Sequence, residues 1–404
     1  MILLKNQTNI KNKGLPMERA ILVTVDLYKP RSSEEAWSAQ ERSDELVELA
    51  TSAGAKVVAA IVVKRDSPKP SHFIGEGKVE EIAALCAGEK ARLVIFNNDL
   101  TGTQAQNLTE SIGARAIDRT QLILDIFASR AHSGEGKLQV ELAQLMYLMP
   151  RLSGKGTELS RLGGGIGTRG PGEQKLEMDR RRIRDRIVLL KKELNVITSR
   201  RTMMRKKRDR FQLPSVAIVG YTNAGKSTLL NTLTGSSVFV GDKLFATLDP
   251  TVRRFSMPAC PDVDSLQSGR PACLDGDSLQ SGRPDRKEIL FIDTVGFLND
   301  LPHHVIEAFK ATLEEAVEAD LLIHLVDASH RKAVEQAEAA RGVLKQIGAG
   351  DKPVIIALNK ADKADPGALE RLKGLFKDAV VISALKKTGL DELIAAVSTR
   401  LPGN

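Results

Sequence analysis

The sequence predicts an α/β protein in three parts: a small α/β domain, a long antiparallel helical hairpin, and a larger α/β domain built on a phosphate-binding loop. Three observations predict it. From residue 20 to about residue 131, apolar runs alternate with amphipathic segments. Between residues 132 and 212, leucines and isoleucines recur at helical spacing on both sides of a glycine-rich stretch. At Gly220 a strand-like run passes through GYTNAGKS directly into a helix-like run. A chain of 404 residues can bury two or three such cores.

The first 19 residues form a polar tail in which only Ile2 to Leu4 are apolar, so the core of a secretory signal is missing; Met17 is an alternative start. No apolar stretch approaches the ~20 residues that span a bilayer, so stable membrane insertion is not expected. The expected location is the cytoplasm, with partial membrane association left open. Cys86, Cys260 and Cys273 show no metal-ligand spacing and read as reduced thiols. The 20–131 domain then offers AILVTVDLY, a helix from Glu34 to Ser52, AKVVAAIVV, a helix around Val79 to Cys86, RLVIF, a helix over Gln104 to Ile112, RAID, and a helix opening near Thr120. This rhythm predicts a mainly parallel sheet.

In the 132–212 region, Leu138, Leu142, Leu145, Met149 and Leu152 form one stripe, and Leu176, Ile183, Ile187, Leu190, Leu194 and Ile197 form another. Each stripe needs a partner, and pairing them gives an antiparallel hairpin whose second helix reaches roughly 50 Å at 1.5 Å per residue. Its tip is the loop 153–173. Between Lys175 and Arg210 there are 15 Lys/Arg against 5 Asp/Glu, a local charge of +10; the whole chain carries +8, which leaves about −2 elsewhere. A basic strip on a long helix is the footprint of a nucleic-acid binder, with Arg181, Arg182 and Arg184 as contacts. Its alternative is a solvated coiled-coil face. At the tip, Arg161 and Arg169 are further candidates for RNA phosphates, or the tip is only a connector. Gly165, Gly167 and Gly170 satisfy GxGxxG, but no strand precedes them and Pro171 follows, which is the wrong setting for a dinucleotide fold. GEGK at Gly75 to Lys78 is either an anion site or a glycine turn opening a helix.

The 213–404 domain carries the chemistry. Gly220, Tyr221, Thr222, Asn223, Ala224, Gly225, Lys226, Ser227 and Thr228 have P-loop spacing: glycines let backbone N–H groups wrap phosphates, Lys226 reaches the β- and γ-phosphates, and the Ser227 hydroxyl ligates Mg²⁺. In DTVG, Asp293 supports the Mg²⁺ shell through water, Thr294 and Val295 follow, and Gly296 lets its N–H approach a γ-phosphate. NKAD supplies Asn359, Lys360, Ala361 and Asp362, an aspartate that accepts from guanine's N1–H and amine, and Ser383, Ala384 and Leu385 close over the base. The pattern predicts a P-loop G domain binding GTP and GDP. Between these lies Phe245, Ala246, Thr247, Leu248 and Asp249, where Thr247 or Thr251 turns onto Mg²⁺ and phosphate, Thr247 being preferred. The catalytic set is therefore Lys226, Thr247, Asp293 and Gly296, with Ser227 and Thr247 on the metal. Phe297 stands where many GTPases place a water-orienting glutamine, which predicts slow intrinsic hydrolysis. Residues 258–270 and 271–283 match at 11 of 13 positions, a tandem duplication with loop composition.

Together with HFIGEGKVEEI, DRTQLILDIFASRAHSGEGKLQVELAQLMYLMPRL, LSRLGGGIGTRGPGE and LFATLDPT, these motifs make nearly the whole chain resemble the HflX family of the Obg-HflX group. The resemblance implies a Mg²⁺-dependent GTPase that binds the large ribosomal subunit and its RNA, projects the hairpin toward the peptidyl-transferase centre, and splits or rescues stalled ribosomes, notably under heat stress. It also implies that Thr247 is the Mg²⁺ threonine. A monomer is expected, and the rival reading is a GTP-dependent switch on a protein or membrane partner. The duplication departs from the family, and the C-terminal extension of some relatives is not expected after DELIAAVSTRL.

Overall fold

The computed structural model describes residues 17–27, 37–153, 171–209, 213–235, 245, 248, 250–256, 288–300 and 302–401. Strands β1 (Arg19–Leu27), β2 (Lys56–Arg65), β3 (Leu93–Phe96) and β4 (Arg115–Asp118) form one parallel sheet in the order β2-β1-β3-β4. Helices α1 (Ala39–Ser52), α2 (Glu76–Glu89), α3 (Gly102–Ile112) and α4 (Arg119–Arg130) alternate with them. Parallel neighbours require crossovers, and the covering helices make β1 and β3 apolar on both faces, which is why they read as unbroken apolar runs. Ile21, Val23 and Val25 of β1 pack with Val94, Phe96, Ile82 and Leu108. Ser38 and Thr101 open α1 and α3 through reciprocal capping boxes with Glu41 and Gln104. Gly75 caps α2 with no side-chain bond, and Lys78 pairs with Glu81, the geometry of a plain helix start.

The helical region holds α5 (Gly134–Leu148), a 3₁₀ turn over Met149–Ser153, and α6 (Pro171–Asp209). The first stripe does not run through Leu152 as one helix. Pro150 lacks an N–H and tightens the chain into the 3₁₀ turn. Arg151 there stacks over the Tyr147 ring at 3.5 Å and donates to Asp118 at 2.7 Å, while the Tyr147 hydroxyl donates to the same buried carboxylate at 2.8 Å. At 39 residues, α6 exceeds the expected reach, at about 58 Å. Leu190 and Leu194 are buried and Ile183, Ile187 and Ile197 half-buried, as the stripe requires. Val188, Leu189, Val196 and Met203 are exposed, a second apolar set that the period analysis passed over. Arg161, Arg169 and the 258–283 duplication lie outside the described residues.

Two compact units divide the chain. One joins residues 1–129 with 143–188, the other 130–142 with 189–404, so α5 and α6 each contribute to both. In the second, β5 (Ser215–Gly220), β6 (Thr251–Ser256), β7 (Glu288–Asp293), β8 (Leu321–Asp327), β9 (Val354–Asn359) and β10 (Val380–Val381) lie in the order β10-β9-β8-β5-β7-β6. Only β6 is antiparallel among the described pairings, held to β7 by an edge-on Phe255–Phe291 contact at 5.7 Å. Helices α7 (Lys226–Thr234) and α11 (Leu390–Arg400) cover one face; α8 (His303–Glu318) and α9 (Ala333–Gln346) cover the other, and Leu372 of α10 (Pro366–Leu375) packs with Ala333 and Ala337 of α9. The order reverses at β5, so its carboxyl end is the crevice where open α/β sheets hold ligands.

Candidate nucleotide site

The loop leaving β5 depends on two glycines. Gly220 has φ +151°, and a Cβ on it would fall 2.3 Å from the Leu325 carbonyl of β8. Gly225 has φ +96°, and a Cβ there would fall 2.4 Å from the Asn359 side-chain amide. Both conformations and both approaches exclude a side chain. Lys226 opens α7, whose first-turn N–H groups give that end partial positive charge. It is buried, and its Nζ donates to the Tyr221 carbonyl at 2.8 Å and the Gly220 carbonyl at 3.2 Å. Burial pushes its pKa down to about 8, with Lys360 adding to the fall and Asp293 opposing it. Thr222 and Ala224 are buried in the same loop, Asn223 takes φ +61°, and Thr228 lies half-buried in the first turn of α7.

Asp293 ends β7 fully buried, and the Ser227 hydroxyl donates to its Oδ2 at 2.7 Å. The Thr294 hydroxyl donates to the Ile218 carbonyl at 2.8 Å, fixing DTVG beside β5. Gly296 lies so close that a Cβ on it would be 3.0 Å from Lys226 Nζ and 2.8 Å from Thr222. Phe297 is a core residue, 1% exposed and packed with Val219, Leu313 and Ala316. Its N–H donates to the Gly220 carbonyl at 3.1 Å and its carbonyl accepts from Thr222 N–H at 2.8 Å. The Asn299 N–H donates to the Tyr221 hydroxyl at 2.8 Å. Reading Phe297 only as a missing glutamine therefore overlooked its structural role, for which the signal was an aromatic directly after the DTVG glycine.

At the base pocket, the Asn359 amide donates to the Ala224 carbonyl at 2.8 Å, and its Oδ1 accepts from Ala384 N–H at 3.0 Å. It brackets the phosphate loop and the SAL loop together. Lys360 Nζ pairs with Asp327 at 2.7 Å, a partner at the end of β8 that spacing alone did not reveal. Asp362 is held below the usual carboxylate range, chiefly by the Ser383 hydroxyl donating at 2.5 Å, so it stays an acceptor. Thr232 of α7, another residue outside the motifs, donates to the Ala384 carbonyl at 3.0 Å. Ala361 N–H donates to the Ile382 carbonyl at 3.2 Å; Leu385 is exposed at the rim. In the switch segment, Phe245 and Leu248 are buried, while Ala246, Thr247 and Asp249 lie outside the described residues. Thr251 pairs across the ladder with Asp293.

The hydroxyl of Ser227 and the buried carboxylate of Asp293 form an oxygen-only donor pair, with no cluster of three or more His, Cys, Asp or Glu beside them among the described residues. That suits Mg²⁺, which keeps several waters and fills its octahedron with phosphate oxygens.

Three family descriptions match in succession: "GTP-binding GTPase N-terminal" over residues 40–128, "GTP-binding GTPase Middle Region" over 130–208, and "50S ribosome-binding GTPase" over 215–360. Among curated relatives, a GTPase HflX of Caldanaerobacter subterraneus subsp. tengcongensis is 47% identical over 95% of this chain and 81% of its own length. A GTPase HflX of Escherichia coli is 39% identical over 96% of this chain and 83% of its own. A solved GTP-binding protein from Sulfolobus solfataricus, in complex with GDP, is 26% identical over 95% of this chain and 98% of that one, with a TM-score of 0.45.

Proposed function

The chain belongs to the HflX family of GTPases, and from that premise we propose that its GTP cycle, run with Mg²⁺, governs binding to the large ribosomal subunit and splits or rescues stalled ribosomes under stress. Ser227 and Thr247 would ligate the metal, with Asp293 holding its shell through water, and the metal would supply charge neutralisation at the phosphates. Lys226 neutralises the β- and γ-phosphates, Gly296 presents its N–H to the γ-phosphate, and Asp362 with Ser383 selects guanine. No glutamine follows Gly296, so the group that orients water comes from another loop or from the partner, and hydrolysis by the free protein is slow.

The observation that carries the ribosome reading is the exposure of Arg181, Arg182 and Arg184 on α6 within a stretch of charge +10. Such residues gain affinity by releasing counterions from RNA phosphates. Reversing the three arginines to glutamate should weaken co-sedimentation with ribosomes and reduce the slope of log affinity against log salt by roughly two to three, since each contact contributes about 0.7–0.9. Hydrolysis by the free protein should be unchanged, because these residues lie outside the nucleotide site. Unaltered affinity and slope would reject α6 as the RNA contact.

One observation favours a second reading, a switch acting on a membrane surface or protein: the exposed Val188, Leu189, Val196 and Met203 among basic neighbours on α6. No helix among the described residues is long and apolar enough to cross a membrane, so such a partner would be met at its surface. Binding to anionic vesicles that exceeds binding to ribosomes would favour it.

A further inference from the structure

Helix α8 follows the DTVGFLND segment and is held on two sides. On its inner side Leu313 and Ala316 pack against Phe297, whose backbone is bridged to the phosphate loop. On its outer side Glu307 pairs with Lys191 of α6 at 2.9 Å, and Glu315 pairs with Arg201 of α6 at 3.6 Å. Arg201 also pairs with Glu135 of α5 at 2.5 Å. The side chains of Arg201, Glu135 and Glu315 are 24%, 11% and 9% exposed, so this junction is largely withdrawn from water. There a guanidinium fork is directional and costly to misplace. The Lys191–Glu307 pair is half exposed and weaker.

We infer that Arg201 is a positioning residue that couples the state of the γ-phosphate site to α6. Any shift of Gly296 toward a γ-phosphate moves Phe297, and a close-packed core passes that displacement to α8 as a unit. Glu315 then travels relative to Arg201, whose shorter bond ties it to α5. The long contact to Glu315 is the arm that opens or tightens, giving two arrangements of one junction: a guanidinium shared by two carboxylates, or kept by Glu135. The exposed Lys192 and Arg200 ride on the segment this junction orients. The inference rests on the proposed function only in taking α6 as the partner-facing helix.

The test is amide hydrogen exchange of the full chain over residues 189–203, comparing GDP with a non-hydrolysable GTP analogue, both with Mg²⁺. The wild type should show a nucleotide-dependent difference of about five- to tenfold in exchange rate. Arg201→Lys, which keeps the charge but loses the fork, and Glu315→Gln, which keeps the shape, should each reduce it to within about twofold while GDP affinity stays within about twofold of wild type. No difference in the wild type, a difference that survives both substitutions, or its loss only together with GDP affinity would each overturn the coupling. Ribosome co-sedimentation of the wild type is read separately, so exchange coupling without ribosome binding would remove the proposed function and leave this inference standing.

Discussion

Lys226 is a buried ammonium whose pKa is pushed by burial down to about 8, against an ordinary value of 10.5. A phosphate brought beside it restores the charged form, so nucleotide binding must take up protons wherever free Lys226 is partly neutral. Calorimetry of GDP binding in two buffers of different ionisation enthalpy should show an uptake approaching one proton near pH ~9 and almost none below pH ~7. Equal heats in the two buffers near pH ~9 would contradict the depressed value. His324 is the complementary case. It is 1% exposed on β8, neither ring nitrogen has a hydrogen-bond partner among the described residues, and burial, with Arg341 and Lys226 adding to it, pushes its pKa down to about 4 from 6.5. The unfolded chain binds a proton there that the folded one refuses, so stability is full above pH 6.5 and falls as pH drops toward 4. Between pH ~7.5 and ~5 this one group should cost about 2 kcal/mol, and His324→Leu should remove that slope from denaturant titrations. Motif spacing announced Lys226 but not its depressed pKa, and it said nothing of His324. A histidine inside LLIHLVD reads as an ordinary strand residue until its neighbours in space are known.

At the scale of elements, the DTVGFLND segment is a structural clamp, with Phe297 packed in the core and its backbone bridged to the loop after β5. Phe297→Gln, which on sequence grounds would restore a water-orienting amide, should instead destabilise the domain by about 3–5 kcal/mol and leave hydrolysis no faster, because it removes a core aromatic and buries an unpaired amide. Urea unfolding and single-turnover rates measure the two effects, and faster hydrolysis at wild-type stability would refute the clamp. The strands and helices around this segment were legible because parallel strands buried on both faces write continuous apolar runs, and RAID and RLVIF fall on β4 and β3. The end of α5 was not: Leu152 keeps the helical spacing, but spacing is blind to the N–H that Pro150 lacks. The nucleotide motifs were legible as linear strings, whereas the bonds from Asn359 to Ala224 and from Tyr221 to Asn299 join residues far apart in the chain, which no period records.

Taken whole, the chain has two units with separate cores, one around β1 and β3 and one around β5 and β8. The candidate nucleotide residues, from Gly220 to Leu385, all lie in the second. GDP at about a hundredfold over its dissociation constant should stabilise that unit by about 2.7 kcal/mol and raise its melting by roughly 5–10 °C, leaving the transition of the first unit in place. A calorimetric scan in which both transitions moved together would show a single cooperative block. The partition also bears on what can be inherited or transplanted. The sequence marks residue 213 as the start of the nucleotide domain, yet the compact unit includes residues 130–142 and everything from 189 onward. A piece cut at 213 would leave behind Glu135, Lys191 and Arg201 and so lose the Lys191–Glu307 and Arg201–Glu315 ion pairs. The compact unit that holds every GTP motif thus reaches beyond the segment that begins at 213, and recombination at the motif boundary would part ion-paired side chains of one unit.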